Sequence, residues 1–252
     1  MESKLFCGDC LQVMQDIPDN SVDCVICDLP YGTTSCTWDV IIPFENLWTQ
    51  YKRICKSASA ILLFGQEPFS SFLRLSNLND YRYDIYWEKE RLTNIMQVNN
   101  RVGKTVETIS VFYEKQCTYN PQMTVHTGVK VTNRVKDGKL GKLTDTQEKT
   151  VFEYKDTGVR YPTQVWRVNR DVLKSNLHPT QKPLALIELL VKTFSNEGDL
   201  VLDNCMGSGT TGLACRNCNR NFIGIEFNSD YYKIADERIN WERGGMFDGM
   251  LN

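Results

Sequence analysis

The sequence predicts an α/β fold in which helices cover both faces of a mostly parallel, seven-stranded sheet. Short β-rich runs alternate with helical patterns along most of the 252 residues, which is typical of parallel strands joined by crossover helices. One apolar run ends in Asp28-Leu29-Pro30-Tyr31, and another opens into a turn that begins at Gly207. Because ligands bind at such strand ends in open α/β sheets, both places are candidate sites.

Seven apolar or β-branched runs are the predicted strands. They cover residues 4–7, 22–27, 60–64, 82–87, 108–113, 200–202 and 222–225. Residues 11–17 and 44–54 are predicted helices, the second because apolar side chains recur every three or four positions. A further helical pattern starts at Leu184, with Pro183 suited to its first turn and Gly198 just past its end.

Composition excludes several classes of protein. A formal charge of −2 and a pI of 5.8 argue against a wholly basic nucleic-acid coat protein. No apolar stretch reaches the roughly 18 residues of a membrane span, and no signal-peptide core follows Met1. We therefore expect a cytoplasmic protein.

Ten cysteines include three C-x-x-C pairs, the first two of which together resemble a zinc-ribbon pattern. The pair Cys24 and Cys27 lies in a predicted strand, where positions three apart face opposite sides. The pair Cys215 and Cys218 fits a buried helix face in a reducing compartment. The sequence thus favours cysteines as core residues, and we expect no metal.

Periodicity fades between residues 121 and 177, so we predict three segments: residues 1–120, an insertion of residues 121–177, and residues 178–252. Residues 129–175 contain eleven basic and six acidic side chains. A solvated loop would explain this charge, but Tyr154, Tyr161 and Trp166 lie between the basic residues and favour contact with nucleic acid. The candidate phosphate contacts are Arg134, Lys136, Lys139, Lys142, Arg160, Arg167 and Arg170.

The glycine turn is ambiguous when taken alone. Residues 207–212 match G-x-G-x-x-G, and Glu226 ends the next strand, as in a nicotinamide-dependent dehydrogenase. However, a carboxylate at Asp203 would repel a pyrophosphate and attract a cationic methionine amine. Asp9, after the first strand, suits an adenine amino group. Both carboxylates favour S-adenosylmethionine, and neither histidine, His126 or His178, lies in a patterned region suited to hydride transfer.

These motifs together resemble the β class of amino-methylating DNA methyltransferases. That family has a catalytic D-P-P-Y, then a target-recognition region, then a segment similar to residues 178–183, and finally D-x-F-x-G-S-G-T-T. The same order stands here, and residues 32–39 are similar to the loop of a phage and bacterial branch. Two departures are Leu29, in place of the first proline, and Asn204-Cys205, in place of Pro-Phe.

The resemblance implies a Rossmann-like, S-adenosylmethionine-dependent methyltransferase fold with a circularly permuted motif order. It implies base flipping and N6 methylation of adenine in DNA within restriction-modification. The implied catalytic residues are Asp28, Leu29, Pro30 and Tyr31. The implied cofactor contacts are Asp9, Cys10, Asp28, Thr180, Lys182, Asp203, Met206, Gly207, Ser208, Gly209, Thr210, Thr211, Glu226, Phe227 and Asn228.

Within this resemblance, the acceptors for the target amine are the carboxylate of Asp28 and the backbone carbonyl of Leu29, while Tyr31 stacks on the base. Thr180 and Lys182 are expected at the methionine end of the cofactor. Alternatives are N4 methylation of cytosine, methylation of a protein glutamine, and a non-catalytic DNA-binding relative. A homodimer, and either a separate cognate restriction endonuclease or none, are left open.

Overall fold

A computed structural model describes residues 2–32, 40–125, 158–171 and 181–240. The strands are β1 (Ser3–Cys7), β2 (Val22–Cys27), β3 (Cys55–Gly65), β4 (Tyr81–Glu88), β5 (Val106–Phe112), β6 (Thr124–Val125), β7 (Val159–Arg160), β8 (Val165–Arg167), β9 (Leu200–Asp203) and β10 (Asn221–Glu226). The helices are α1 (Cys10–Val13), α2 (Phe44–Ile54), α3 (Phe69–Ser76), α4 (Leu184–Phe194), α5 (Thr210–Asn217) and α6 (Ser229–Asn240), with 3₁₀ turns at Met14–Asp16 and Ile95–Gln97.

Eight strands form the main sheet in the order β1-β10-β9-β2-β3-β5-β4-β8. Neighbouring strands are parallel except where β5 runs antiparallel to β3 and β4. The C-terminal strands β9 and β10 therefore lie between the N-terminal strands β1 and β2, as a permuted motif order requires. The carboxyl ends of β1, β10, β9 and β2 meet at one edge of the sheet.

Helices cover both faces of the sheet and produce two apolar clusters. On one face, Ile26 and Leu62 pack with α4, α5 and α6. On the other face, Val25 and Leu63 pack with α2 and α3. Burying each large aliphatic side chain contributes roughly 1.5–3 kcal/mol, so the alternation along β2 and β3 holds both helical layers to the sheet.

The two cysteines of β2 also separate between these clusters. Cys24 packs in the first cluster and Cys27 in the second. They lie on opposite faces, as the strand period predicts, so they cannot bind one ion together.

Every predicted strand is present, but within the described ranges the main sheet has eight strands rather than seven. The additional strand is β8, which pairs with β4 inside the stretch that the sequence predicts as an insertion. Trp166 is the only buried residue of β8, and its indole N–H donates to the Thr163 carbonyl at 2.9 Å. Its predicted part in nucleic-acid contacts is wrong, because the ring packs in the core. Three residues in a polar stretch are too few to show the alternation of apolar and polar side chains that predicts a strand.

The helices follow the prediction closely in two places and depart from it in three others. The helix α2 has the predicted bounds, and α4 begins directly after Pro183. In place of the predicted helix over residues 11–17 there is the single turn α1 followed by a 3₁₀ turn. The helices α3 and α6 were not predicted. Within the described part of the chain, no helix is both long and apolar enough to cross a membrane.

The chain divides into two compact units, residues 1–120 with 163–252 and residues 121–162. In the smaller unit, β6 and β7 pair as an antiparallel ribbon. The larger unit resumes before β8, which is earlier than the predicted boundary at residue 178.

Candidate active site

A cavity of about 820 Å³ lies at the carboxyl edge of the sheet. Four carboxylates at the strand ends line it: Asp9 lies two residues after β1, Asp28 directly follows β2, and Asp203 and Glu226 are the last residues of β9 and β10. The predicted clamp residues Leu29, Pro30 and Tyr31 line the same cavity. Two sites that are far apart in the sequence thus share one space.

The clamp follows β2, whose six residues are buried apart from Asp23. The Tyr31 hydroxyl donates to Oδ1 of Asp28 at 2.5 Å, and the Tyr31 ring packs on Phe69 with centroids 4.9 Å apart. Burial and the neighbouring Asp28 carboxylate raise the pKa of Tyr31, so the phenol remains a donor. Leu29 is buried, which fixes the backbone between Asp28 and Tyr31.

Lys182 lies at this clamp and not only beside the predicted cofactor residues. Its Nζ donates to Oδ2 of Asp28 at 2.6 Å and lies 3.4 Å from Oε2 of Glu107. Burial alone would disfavour the ammonium, but these two carboxylates outweigh it and raise the pKa of Lys182. The lysine is therefore charged, and it bridges two acidic side chains.

Glu107 was not predicted as a site residue. It lies on β5 opposite Trp87 of β4, and it is 6% exposed. Its Oε1 accepts a hydrogen bond from Lys89. Burial disfavours the carboxylate, but Lys182 and Lys89 outweigh this and lower the pKa of Glu107. A single acidic residue in a β-rich run carries no motif, so only the fold reveals its position.

Asp203 is the most deeply buried carboxylate of the cavity, with 4% exposure. Its Oδ2 accepts from the Thr211 hydroxyl at 2.6 Å, and its Oδ1 accepts from the Cys205 N–H at 3.1 Å. Burial raises the pKa of Asp203 to about 7, although these hydrogen bonds oppose the shift. Such a carboxylate gains most from a cationic partner.

Glu226 ends β10 and is held by backbone groups. Its Oε2 accepts from the Gly207 N–H and its Oε1 from the Asn228 N–H, each at 2.8 Å. Burial raises the pKa of Glu226. The glutamate thereby fixes the glycine turn and faces the cavity at the same time.

The remaining predicted cofactor residues divide into two groups. Those that line the cavity are Cys10, Met206, Gly207, Ser208, Thr210, Thr211 and Phe227. Gly209 and Asn228 are not among the lining residues; Asn228 accepts from the N–H groups of Asp230 and Tyr231 at the start of α6. Thr180 lies outside the described residues.

Gly209 has a structural reason to be glycine. Its φ is +80°, and a Cβ there would lie 2.9 Å from both Ala235 and Ile239 of α6. The turn therefore requires the left-handed backbone and the close approach of a helix, which only glycine permits without strain.

The departure at Asn204 and Cys205 is accommodated by the surrounding residues. Asn204 is buried, and its Oδ1 accepts from the Tyr51 hydroxyl of α2 at 2.5 Å. Cys205 lines the cavity at the position where the resembling family has phenylalanine. An α2 tyrosine thus holds the segment that positions Asp203.

Two side chains that sequence reasoning missed support the glycine turn. The Ser208 hydroxyl donates to Oε1 of Gln181 at 3.1 Å, and Arg238 donates to the Ser208 hydroxyl at 2.9 Å. Burial lowers the pKa of Arg238. The segment before α4, the turn and α6 are therefore joined by polar contacts.

The candidate phosphate contacts are only partly described. Arg134, Lys136, Lys139, Lys142 and the interleaved Tyr154 lie outside the described residues, and Arg160 lies on β7. Arg167 pairs with Glu88 at 2.6 Å, and Arg170 pairs with Glu90 at 3.1 Å. Tyr161 is exposed.

Comparison with known proteins gives the same picture. The DNA methylase family model matches residues 22–237. Type II methyltransferase M.HpaI of Haemophilus parainfluenzae is 27% identical over 98% of this chain and 77% of its own length. DNA adenine methyltransferase YhdJ of Escherichia coli (strain K12) is 30% identical over 92% of this chain and 81% of its own. A solved M1.HpyAVI–SAM complex superposes with a TM-score of 0.63, at 24% identity over 94% of this chain and 99% of that one.

Proposed function

Because the chain belongs to the DNA methylase family, it is an S-adenosylmethionine-dependent DNA methyltransferase, and we propose that its target is the N6 amino group of an extruded adenine. The observation that carries the proposal is the single cavity, which joins the Asp28 clamp to the buried carboxylates Asp203 and Glu226. The resemblance to an adenine methyltransferase over most of the chain supports adenine over cytosine.

The carboxylates suit the polar groups of S-adenosylmethionine, which supplies a methyl group on a positively charged sulfur. We assign the methionine amine to Asp203, whose buried carboxylate lacks a cationic partner among the contacts described above. Glu226 suits the ribose hydroxyls, and Asp9 suits the adenine amino group. Asp9 already accepts from the Gln12 N–H at 3.1 Å, so its orientation is fixed before the cofactor binds.

The clamp suits the target nitrogen. The lone pair of an exocyclic amine is delocalised into the ring, so the protein must favour a pyramidal nitrogen. Asp28 and the Leu29 carbonyl accept from its two N–H bonds, and Asp28 also offsets the positive charge that develops. Pro30 biases Leu29 towards an extended backbone and so directs that carbonyl. The Tyr31 ring stacks on the base, a contact worth roughly 1–3 kcal/mol.

The amine is inaccessible inside a duplex, so the base must leave the stack at a cost of a few kcal/mol. We assign part of the compensation to phosphate contacts by Arg134, Lys136, Lys139, Lys142 and Arg160. Arg167 and Arg170 must exchange their carboxylate partners, Glu88 and Glu90, before they can contact phosphate. The type II names of relatives favour a role in DNA modification within restriction-modification, with either a separate cognate endonuclease or none. We place this activity in the cytoplasm.

The test is expression in a host that lacks DNA methylation, followed by mass spectrometry of the nucleosides and sequencing of the modified sites. We expect N6-methyladenine in one sequence context, and none from the Asp28→Ala variant. N4-methylcytosine, or no modified base from a well-folded protein that binds DNA, would refute the proposal.

A further inference from the structure

The carboxylate of Glu107 has one oxygen without a hydrogen-bond partner among the residues that the structure describes. Lys89 occupies Oε1, whereas Oε2 is buried and makes no hydrogen bond within that part of the chain. An unsatisfied buried carboxylate oxygen costs free energy unless a donor can reach it. The nearby donor is the ammonium of Lys182, at 3.4 Å.

Lys182 is therefore shared unequally between two acids. It donates to Oδ2 of Asp28 at 2.6 Å and has no hydrogen-bond geometry with Glu107. A displacement of under about one ångström would bring its Nζ to the 2.7–2.9 Å of a charge-assisted bond with Oε2. The ammonium lies over the ring of Phe64, with Nζ 5.1 Å from the ring centroid, a contact that favours a positive charge at this place.

The contact with Asp28 conflicts with the proposed chemistry. The target amine needs an acceptor on Asp28, but one oxygen accepts from Tyr31 and the other from Lys182. An ammonium at that place also opposes the positive charge that develops on the amine. The lysine must give up this contact without becoming an unpaired buried charge.

We propose that Glu107 is a positioning residue for methyl transfer, because it accepts Lys182 from Asp28 when the target amine arrives. This inference rests on the proposed function. The exchange leaves two carboxylates, Asp28 and Glu107, beside two ammonium groups, Lys89 and Lys182, so the charges of these four groups remain equal in number. No proton changes place and no bond other than hydrogen bonds is made or broken.

The experiment is the isosteric variant Glu107→Gln, measured by single-turnover methylation of DNA with saturating S-adenosylmethionine. An amide is a weaker acceptor for an ammonium, so Lys182 stays on Asp28. We expect the rate to fall about 10- to 100-fold, the size typical of a charged hydrogen bond. Cofactor affinity should change less than about twofold, because Asp203 and Glu226 are unaltered.

Asp84→Asn is the matched control, since Asp84 is a buried carboxylate on the adjacent strand that pairs with Arg74 at 2.9 Å, away from the cavity. It should leave the rate unchanged. Glu107→Asp keeps the charge but shortens the reach, so an intermediate rate is expected. If Glu107→Gln does not fold, Glu107→Asp carries the test instead. A wild-type rate in Glu107→Asp would then overturn the inference.

The coupling to Lys182 separates positioning from a structural role. In a Lys182→Met background, Glu107→Gln should change the rate less than about threefold, because no ammonium remains to be moved. If Glu107→Gln lowers the methylation rate in the Lys182→Met background as much as it does alone, the proposed role of Glu107 is wrong. A wild-type rate in Glu107→Gln alone would also overturn it. Absence of methylation by the wild-type protein would instead refute the proposed function.

Discussion

The buried carboxylate of Asp203 makes cofactor binding depend on pH near neutrality. Burial raises its pKa to about 7, whereas the methionine amine of S-adenosylmethionine needs the ionised form as a partner. At pH 6 about 9% of such a group is ionised, and at pH 7.5 about 76%. Affinity should therefore increase as the pH rises through this range.

The amine of the cofactor sets the upper pH limit of tight cofactor binding, because it loses its positive charge as the pH rises. With an α-amino pKa near 7.9, about 70% of the amine is still charged at pH 7.5. The product of the two ionised fractions rises about sixfold between pH 6 and 7.5 and declines at higher pH. We expect a bell-shaped affinity profile with its maximum near pH 7.4, halfway between the two pKa values.

Isothermal titration across this pH range measures the profile. Asp203→Asn should lose the rising limb and bind about 10- to 100-fold more weakly at pH 7.5, because the charged hydrogen bond is lost. 5′-Methylthioadenosine is the matched ligand control, because it keeps the adenine and ribose but lacks the methionine amine. Its affinity should not change with pH over this range, and Asp203→Asn should not alter it. A flat profile for S-adenosylmethionine itself would refute the assignment of Asp203.

The same group affects stability with a defined sign. The folded protein retains the Asp203 proton up to about pH 7, whereas an unfolded chain releases it near pH 4. Its contribution is thus greatest at low pH and is lost as the pH rises through this interval. Asp203→Asn should raise the melting temperature of the ligand-free protein more at pH 7.5 than at pH 4.

Three further changes test other parts of the structure. Asp28→Ala should lower the methylation rate at least 100-fold while cofactor affinity is nearly unchanged; near-normal turnover would contradict the clamp. Gly209→Ala should destabilise the fold by about 2–4 kcal/mol in thermal or urea unfolding, from the positive φ and the contact with α6, and wild-type stability would contradict that reason. Replacing basic residues of segment 129–175 by alanine should reduce the salt slope of DNA binding by about 0.9 per lost phosphate contact; an unchanged slope would remove that segment from the DNA interface.

The sequence predicted those parts of the site whose functional residues also mark the end of a strand or the start of a helix. The clamp directly follows an apolar strand, and the glycine turn lies between a strand and a helix, so period and motif point to the same positions. Their convergence on one cavity depends on strand order, which places β9 and β10 between β1 and β2. The resemblance to a permuted family supplied that order, and composition or spacing could not.

What the sequence did not predict depends on contacts between distant elements. Lys182 belongs to a motif and was expected at the methionine end, yet its ammonium also reaches Asp28 because α4 starts beside the end of β2. Glu107 belongs to no motif, and its importance arises only because β5 pairs with β4 and brings it near Lys89. Charged groups act through distance in a low-dielectric cavity, so their roles follow from the fold even where the residue pattern contains no signal.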